Sequence, residues 1–196
     1  MTSNDLTILV PCKGHDCDDI EDRTNFLHWQ VRVIRDQLYG QALKDGILKA
    51  DTRYIATMDA DMQHKPHDIN RLYEALKVEQ ADMVIGNQQG KPLGLRTIAS
   101  GLLNLTASIL AGQHVPDFGS GIRVFRRSLA LRYMDILPDG FDFNAVLTMK
   151  FLLEGDTVVW VPVPYMPRTK GKSFVRWQDG VLTLKSLTQV KAHGRR

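Results

Sequence analysis

Apolar residues gather into short runs at positions 6–10, 31–34, 54–58, 83–85, 122–125 and 157–161, rich in Val, Ile and Tyr. Runs of that length predict buried β-strands. Between several of them the apolar positions recur at helical spacing, which predicts helices over 41–49, 66–77, 95–110, 144–153 and 177–190. In the second of these, Ile69, Leu72, Tyr73 and Leu76 fall on one face, and Pro66 suits a first turn, where a missing N–H costs nothing. The helix over 95–110 is apolar across a broader arc, a pattern that fits core packing and membrane contact equally. Strands alternating with helices predict an α/β fold in which a mainly parallel, mixed sheet carries helices on its faces.

The chain has 196 residues and no repeats, low-complexity tracts or linker-like stretches, which predicts one domain over 1–196. Hydrophobic residues at 43% and charged residues at 24% exclude a disordered chain, a collagen-like repeat and a disulfide scaffold. A net charge of +3 favours phosphates or an anionic membrane without selecting either, and nothing in it indicates a nucleic acid. Cys12 and Cys17 do not have the spacing of a zinc site and are expected to be reduced thiols. There is no basic-then-apolar leader, and no run approaches the roughly 18 apolar residues of a membrane span. The expected setting is the cytoplasm, either free or peripheral at its membrane face. The basic end, 191–196, reads as a solvated tail or a membrane contact. A homo-oligomer is left open.

Candidate chemistry begins at Asp59 and Asp61, which follow the strand-like YIATM and so fall at the C-terminal edge of a strand, where open α/β sheets bind ligands. Paired carboxylates there suit Mg2+ or Mn2+, which prefer hard oxygen ligands and bridge carboxylates to substrate phosphates. The same acids also read as a turn that caps the helix beginning near Pro66. Further on, Gly119, Ser120 and Gly121 permit close backbone approach, and Arg123 offers a planar donor fork suited to phosphate. Arg168, Lys170 and Lys172 surround Gly171 in a cationic loop able to close over a diphosphate.

The string MDADMQHKPHDINRLYEAL resembles the family 2, GT-A-fold glycosyltransferases, especially the dolichol-phosphate or polyprenyl-phosphate mannosyltransferase branch. DFGSGIRVFRRSLA is similar to that family's Asp-x-x-Ser-Gly-Phe-Arg segment and the helix after it, and VPVPYMPRTKGKSFVRWQDGVLTL to its strand, basic Gly-Lys-Ser loop and following helix. GQALKDGILKA and GNQQGKPLGLRTIASGLLNLTASIL extend the likeness over 31–187. The resemblance implies a GT-A, Rossmann-like domain that uses Mg2+ or Mn2+ and a nucleotide-sugar donor of the GDP-mannose or UDP-glucose type. Asp59, Asp61 and Gln63 inherit metal and diphosphate roles from it. Arg168, Lys170, Lys172 and Ser173 inherit contacts to the donor, and Arg96 and Arg123 to an acceptor phosphate. Asp61, Asp117 and Arg123 fall at the reacting centre, with Asp117 the base should the acceptor be a hydroxyl.

The resemblance fails before residue 31. Family members begin with a strand ending in Pro-x-x-Asn-Glu, a helix, and a second strand ending in an Asp-Asp-x-Ser turn, whereas TILVPCKGHDCDDIEDRTNF has room for one such unit. Either it is the first strand, with Pro11 the family proline and the next helix and strand deleted, or it is the second, with Asp16, Asp18 or Asp19 as the acidic turn. Residues 1–30 are thus expected to be an atypical, shortened nucleotide-side segment, and 177–196 a C-terminal helix with a basic tail. The implied function is inverting transfer of a mannose- or glucose-type hexose to a polyprenyl- or dolichyl-phosphate-like acceptor. Two alternatives stand beside it: the same chemistry on a protein, glycan or modified nucleic-acid hydroxyl, and a non-catalytic binding protein of this fold.

Overall fold

The computed structural model describes residues 5–12, 29–60, 65–92, 94–167 and 177–192. Among them, six strands form one sheet in the order β2-β1-β3-β5-β4-β6: β1 (Leu6–Cys12), β2 (Gln30–Arg35), β3 (Tyr54–Thr57), β4 (Met83–Gln89), β5 (Arg123–Arg126) and β6 (Val158–Pro164). The helices are α1 (Tyr39–Lys49), α2 (Pro66–Val78), α3 (Leu95–Ala111), α4 (Arg127–Arg132), α5 (Phe143–Glu154) and α6 (Trp177–Ala192). Each apolar run of the sequence overlaps a strand, to within one residue at its ends, and each periodic segment lies in a helix. The short α4 follows β5 without a break, as the family resemblance implied.

The sheet is mainly parallel. β1 runs parallel to β2 and β3, and β4 to β6, while β5 alone is reversed, antiparallel to β3 and β4. The ends of β1, β2, β3, β4 and β6 therefore share one edge with the start of β5. Along β1 every residue is buried and the side chains alternate: Leu9 joins the core under α1 and α5, and Leu6, Ile8 and Val10 join the core under α2. An apolar run without polar alternation is what a strand covered on both faces requires.

The sheet order decides between the N-terminal readings. The strand 6–12 is the first strand and not the second, because β2 takes the second place and β1 lies between it and β3. The strand after it is not deleted, because β2 pairs along its outer side from Thr7↔Gln30 to Cys12↔Arg35; the helix that this reading also took as deleted would fall in 13–28, outside the described residues. Among the described residues two strands thus precede β3. Chain length could not reveal this, since sheet order depends on which strands pair. Pro11 is tolerated inside β1 because the ladder to β3 ends at Leu9↔Thr57, so its missing N–H falls where no partner strand continues. Cys12 is disulfide-bonded, contrary to the expected free thiol, and the chain's other cysteine, Cys17, lies outside the described residues.

Candidate active site

β3 delivers Asp59 to the shared sheet edge two residues past its last paired position, Thr57↔Arg123. Opposite it, the chain entering β5 passes as Gly121. Thr57 Oγ1 donates to the Gly121 carbonyl at 2.7 Å, which pins that backbone beside the carboxylate. A β-carbon added to Gly121 would stand 2.0 Å from Asp59 Oδ2, so only glycine leaves the carboxylate its space. On the other side, Tyr39 Oη donates to Asp59 Oδ1 at 3.0 Å and accepts from Asn144 Nδ2 at 2.8 Å. The Tyr39 ring stacks on Phe141, 5.3 Å between centroids. Burial of the hydroxyl, reinforced by the charge of Asp59, raises its pKa well above the ordinary tyrosine value, so it stays a proton donor.

The capping reading of the acid pair fails at Asp59. The helix after it, α2, takes its cap from inside: the Lys65 N–H donates to Asp68 Oδ2 at 3.2 Å, with Pro66 in the first turn. Asp59 is instead directed at Tyr39 and the β5 entry.

Arg123 corrects a second expectation. It is fully buried, and its fork serves the protein rather than a phosphate. Nε donates to the Ser120 carbonyl at 3.1 Å, and one terminal nitrogen donates to the Asn144 carbonyl and Thr148 Oγ1, both at 2.8 Å. The other terminal nitrogen donates to the carbonyls of Phe118, at 3.2 Å, and Ser120. Burial lowers its pKa to about 10, against the opposing pull of Tyr39, Asp117 and Asp59, which leaves it a cation at neutral pH. A guanidinium so enclosed ties the 118–120 loop to α5, and its charge sits beneath the carboxylates.

Asp117 lies in the same entry loop and is almost wholly buried. Lys91 Nζ reaches its Oδ2 at 3.1 Å, Gly119 N–H donates to Oδ1 at 3.2 Å, and Trp160 Nε1 donates to its carbonyl at 2.8 Å. Pro11 stands near the end of β1 on the shared edge. Arg96 falls in the first turn of α3. Asp16, Asp61, Gln63, Arg168, Lys170, Lys172 and Ser173 lie outside the described residues.

Several residues of this site were not singled out in the sequence, Lys91, Tyr39 and Asp36 among them. Lys91 and Tyr39 carried no local pattern. Asp36 had one: it directly follows β2 and precedes α1, where the family resemblance calls for an acidic turn. It adopts a left-handed backbone, φ 57°, and its N–H donates to the Cys12 carbonyl at 3.2 Å.

Among the described residues no three His, Cys, Asp or Glu side chains gather as a metal site. Asp59 nevertheless fits a divalent ion: it is a hard carboxylate at the ligand-binding edge, with one oxygen already oriented and a side-chain-free cradle facing the other.

Residues 17–134 match the profile of Glycosyl transferase family 2. The chain belongs to that family. An undecaprenyl-phosphate mannosyltransferase of Micrococcus luteus is 31% identical over 128 residues, which cover 61% of this chain and 51% of that protein. A polyprenol monophosphomannose synthase of Mycolicibacterium smegmatis is 30% identical over 162 residues, covering 78% of this chain and 60% of that protein. The family 2 chain thus spans about a third to three fifths of the length of the curated relatives it matches. Among solved structures, the glucosyl-3-phosphoglycerate synthase of Mycobacterium tuberculosis, crystallised with Mn2+, uridine-diphosphate-glucose and phosphoglyceric acid, superposes with a TM-score of 0.75 at 12% identity over 97% of this chain and 80% of that one. At that identity the likeness speaks for the fold, which is the GT-A domain expected of the family.

Proposed function

We propose that this family 2 chain transfers a hexose from a nucleoside-diphosphate sugar to a polyprenyl-phosphate acceptor, with inversion at the sugar's C1. The observation that carries the reading is the Asp59 carboxylate, held at the common sheet edge by Tyr39 and cradled by Gly121. Asp59, with Asp61 and Gln63, would hold Mg2+ or Mn2+, which neutralises charge on a departing diphosphate when bound. An acceptor phosphate oxygen forms the new bond to C1 as the bond from C1 to the diphosphate breaks, and the diphosphate leaves with the electron pair. The acceptor is already anionic near neutral pH, so no base is needed and positioning dominates. Arg168, Lys170, Lys172 and Ser173 are assigned to the diphosphate, Arg96 to the acceptor phosphate, and Pro11, Asp16 and Asp36 to the nucleoside side. Arg123 is assigned to holding the loop that frames the site.

Two features support a lipid acceptor. The curated relatives are named for polyprenyl-phosphate substrates. The outer faces of α3 and α6 expose Ile98, Leu102, Leu105, Ile109, Val181, Leu182 and Leu184. From residue 168 onward the sequence sets Arg168, Lys170, Lys172, Arg176, Lys185, Lys191, Arg195 and Arg196 against a single acid, Asp179. Exposed apolar side chains together with a strongly basic C-terminal sequence match an anionic bilayer surface. No helix among the described residues is long and apolar enough to cross a membrane, and the contact proposed is made by the outer faces of α3 and α6.

The test is a panel of GDP- and UDP-sugars with Mn2+ or Mg2+, read by nucleotide release on vesicles that carry undecaprenyl phosphate, for wild type and Asp61→Ala. Release that depends on metal and lipid phosphate and is lost in Asp61→Ala is the expected result. Metal-dependent release that Asp61→Ala leaves unchanged would overturn the site assignment.

A further inference from the structure

We infer that Tyr39 is a positioning residue for the metal site, acting through the Asp59 carboxylate and backed by Asn144. The inference rests on the reading that Asp59 is a ligand. Its physical basis is the polarity of a short hydrogen-bond chain. An ionised carboxylate can only accept, so the proton between Tyr39 Oη and Asp59 Oδ1 belongs to the tyrosine. Tyr39 Oη must then accept from its other neighbour, which fixes the Asn144 amide with Nδ2 towards the tyrosine. Asn144 Oδ1 is left buried without a partner, so this orientation is maintained at a cost. The chain Asn144 to Tyr39 to Asp59 thus runs one way and holds one carboxylate oxygen in one direction, leaving Oδ2 against Gly121.

Tyr39 is itself anchored. It is the first residue of α1, and the next two N–H groups, of Gly40 and Gln41, both donate to the Asp139 carbonyl, at 2.8 and 3.2 Å. A β-carbon on Gly40 would lie 2.3 Å from the Pro138 carbonyl oxygen, so helix and loop meet backbone to backbone. Lys44 Nζ bonds Asp139 Oδ1 at 2.7 Å on the following turn. With Phe141 stacked on its ring, the phenol has little freedom to swing. A rigid donor removes the rotational choice of the carboxylate, and outer-shell partners of this kind tune metal affinity.

Tyr39→Phe keeps the ring and its stacking and removes only the hydroxyl. Mn2+ affinity is to be measured by the EPR signal of free Mn2+ with saturating UDP, and again with GDP, for wild type, Tyr39→Phe, Asn144→Leu and Asp59→Ala. The expected result is a loss of about 10-fold or more for Tyr39→Phe and a smaller loss for Asn144→Leu. In turnover, the Mn2+ concentration for half-activation rises in Tyr39→Phe while kcat at saturating Mn2+ recovers, a split that general loosening of the fold does not produce. Wild-type Mn2+ affinity in Tyr39→Phe, with binding abolished in Asp59→Ala, overturns the role of Tyr39 alone. Unchanged binding in Asp59→Ala overturns the metal reading and this inference with it.

Discussion

Helices α2 and α3 carry similar apolar periodicity and use it in opposite ways. In α2, Ile69, Leu72, Tyr73 and Leu76 are buried against the sheet, while Arg71, Glu74 and Lys77 face solvent. In α3, Ile98, Leu102, Leu105 and Ile109 are exposed, while its inward face joins Leu103, Ala107, Leu110 and Ala111, packed on the core, with the polar Asn104 and Ser108. Asn104 donates to the Pro116 carbonyl at 2.6 Å and accepts from the Phe118 N–H at 3.4 Å, and Ser108 accepts from the Val115 N–H at 2.9 Å. So α3 grips the 115–118 loop, which contains Asp117 and leads into the cage of Arg123, through polar atoms. Periodicity reveals that a helix has two faces; it does not reveal which one the protein keeps.

The sharpest way to break that contrast is to truncate a leucine on each helix. Leu72→Ala opens a cavity in a closed core and is expected to cost about 2–5 kcal/mol of unfolding free energy in a denaturant titration. Leu102→Ala, at 62% exposure, is expected to stay within about 0.5 kcal/mol. Equal costs would mean that the outer face of α3 is packed in the folded chain, and the case for a lipid-facing surface would fall. On the inner face, Asn104→Leu conserves bulk and adds hydrophobicity, yet is expected to destabilise by about 1–3 kcal/mol, because it strands the Pro116 carbonyl and the Phe118 N–H. A stabilising outcome would show that the polar hold of Asn104 on the 115–118 loop contributes nothing to stability.

The same distinction marks what could be read in advance. The strands were legible because a strand buried on both faces needs a run of apolar residues, as β1 and β3 show. Which strand would be reversed in the mixed sheet was not, since side-chain alternation is the same in either direction. Arg123 shows the limit most clearly. A guanidinium beside a Gly-Ser-Gly turn has the same composition whether it meets a substrate phosphate or the carbonyls of Phe118, Ser120 and Asn144, and only the backbone path decides. Asp59 was found through its neighbours in sequence. Its partner Tyr39 was not, because the contact spans 20 residues and joins the first turn of one helix to the end of a strand.

A polar interior has a signature that the α2 side of the sheet does not share through this residue: it responds to alkali. Tyr39 keeps its proton in the folded protein above the ordinary value of 10.0, owing first to burial and then to the charge of Asp59. In the unfolded chain the same phenol ionises near that value. Above pH 10 the unfolded state therefore binds fewer protons than the folded one, and stability falls as pH rises. Below pH 10 both states hold the proton, and the contribution is fully present. The slope from one such group reaches at most about 1.4 kcal/mol per pH unit. Tyr39→Phe has no proton to lose, so its unfolding free energy is expected to decline less steeply than that of wild type above pH 10, with the two curves parallel below it. Urea titrations across that range, read by helical circular dichroism, measure the difference. Parallel curves throughout would mean that the hydroxyl ionises as readily in the fold as outside it, and that the hydrogen bond to Asp59 does not hold its proton.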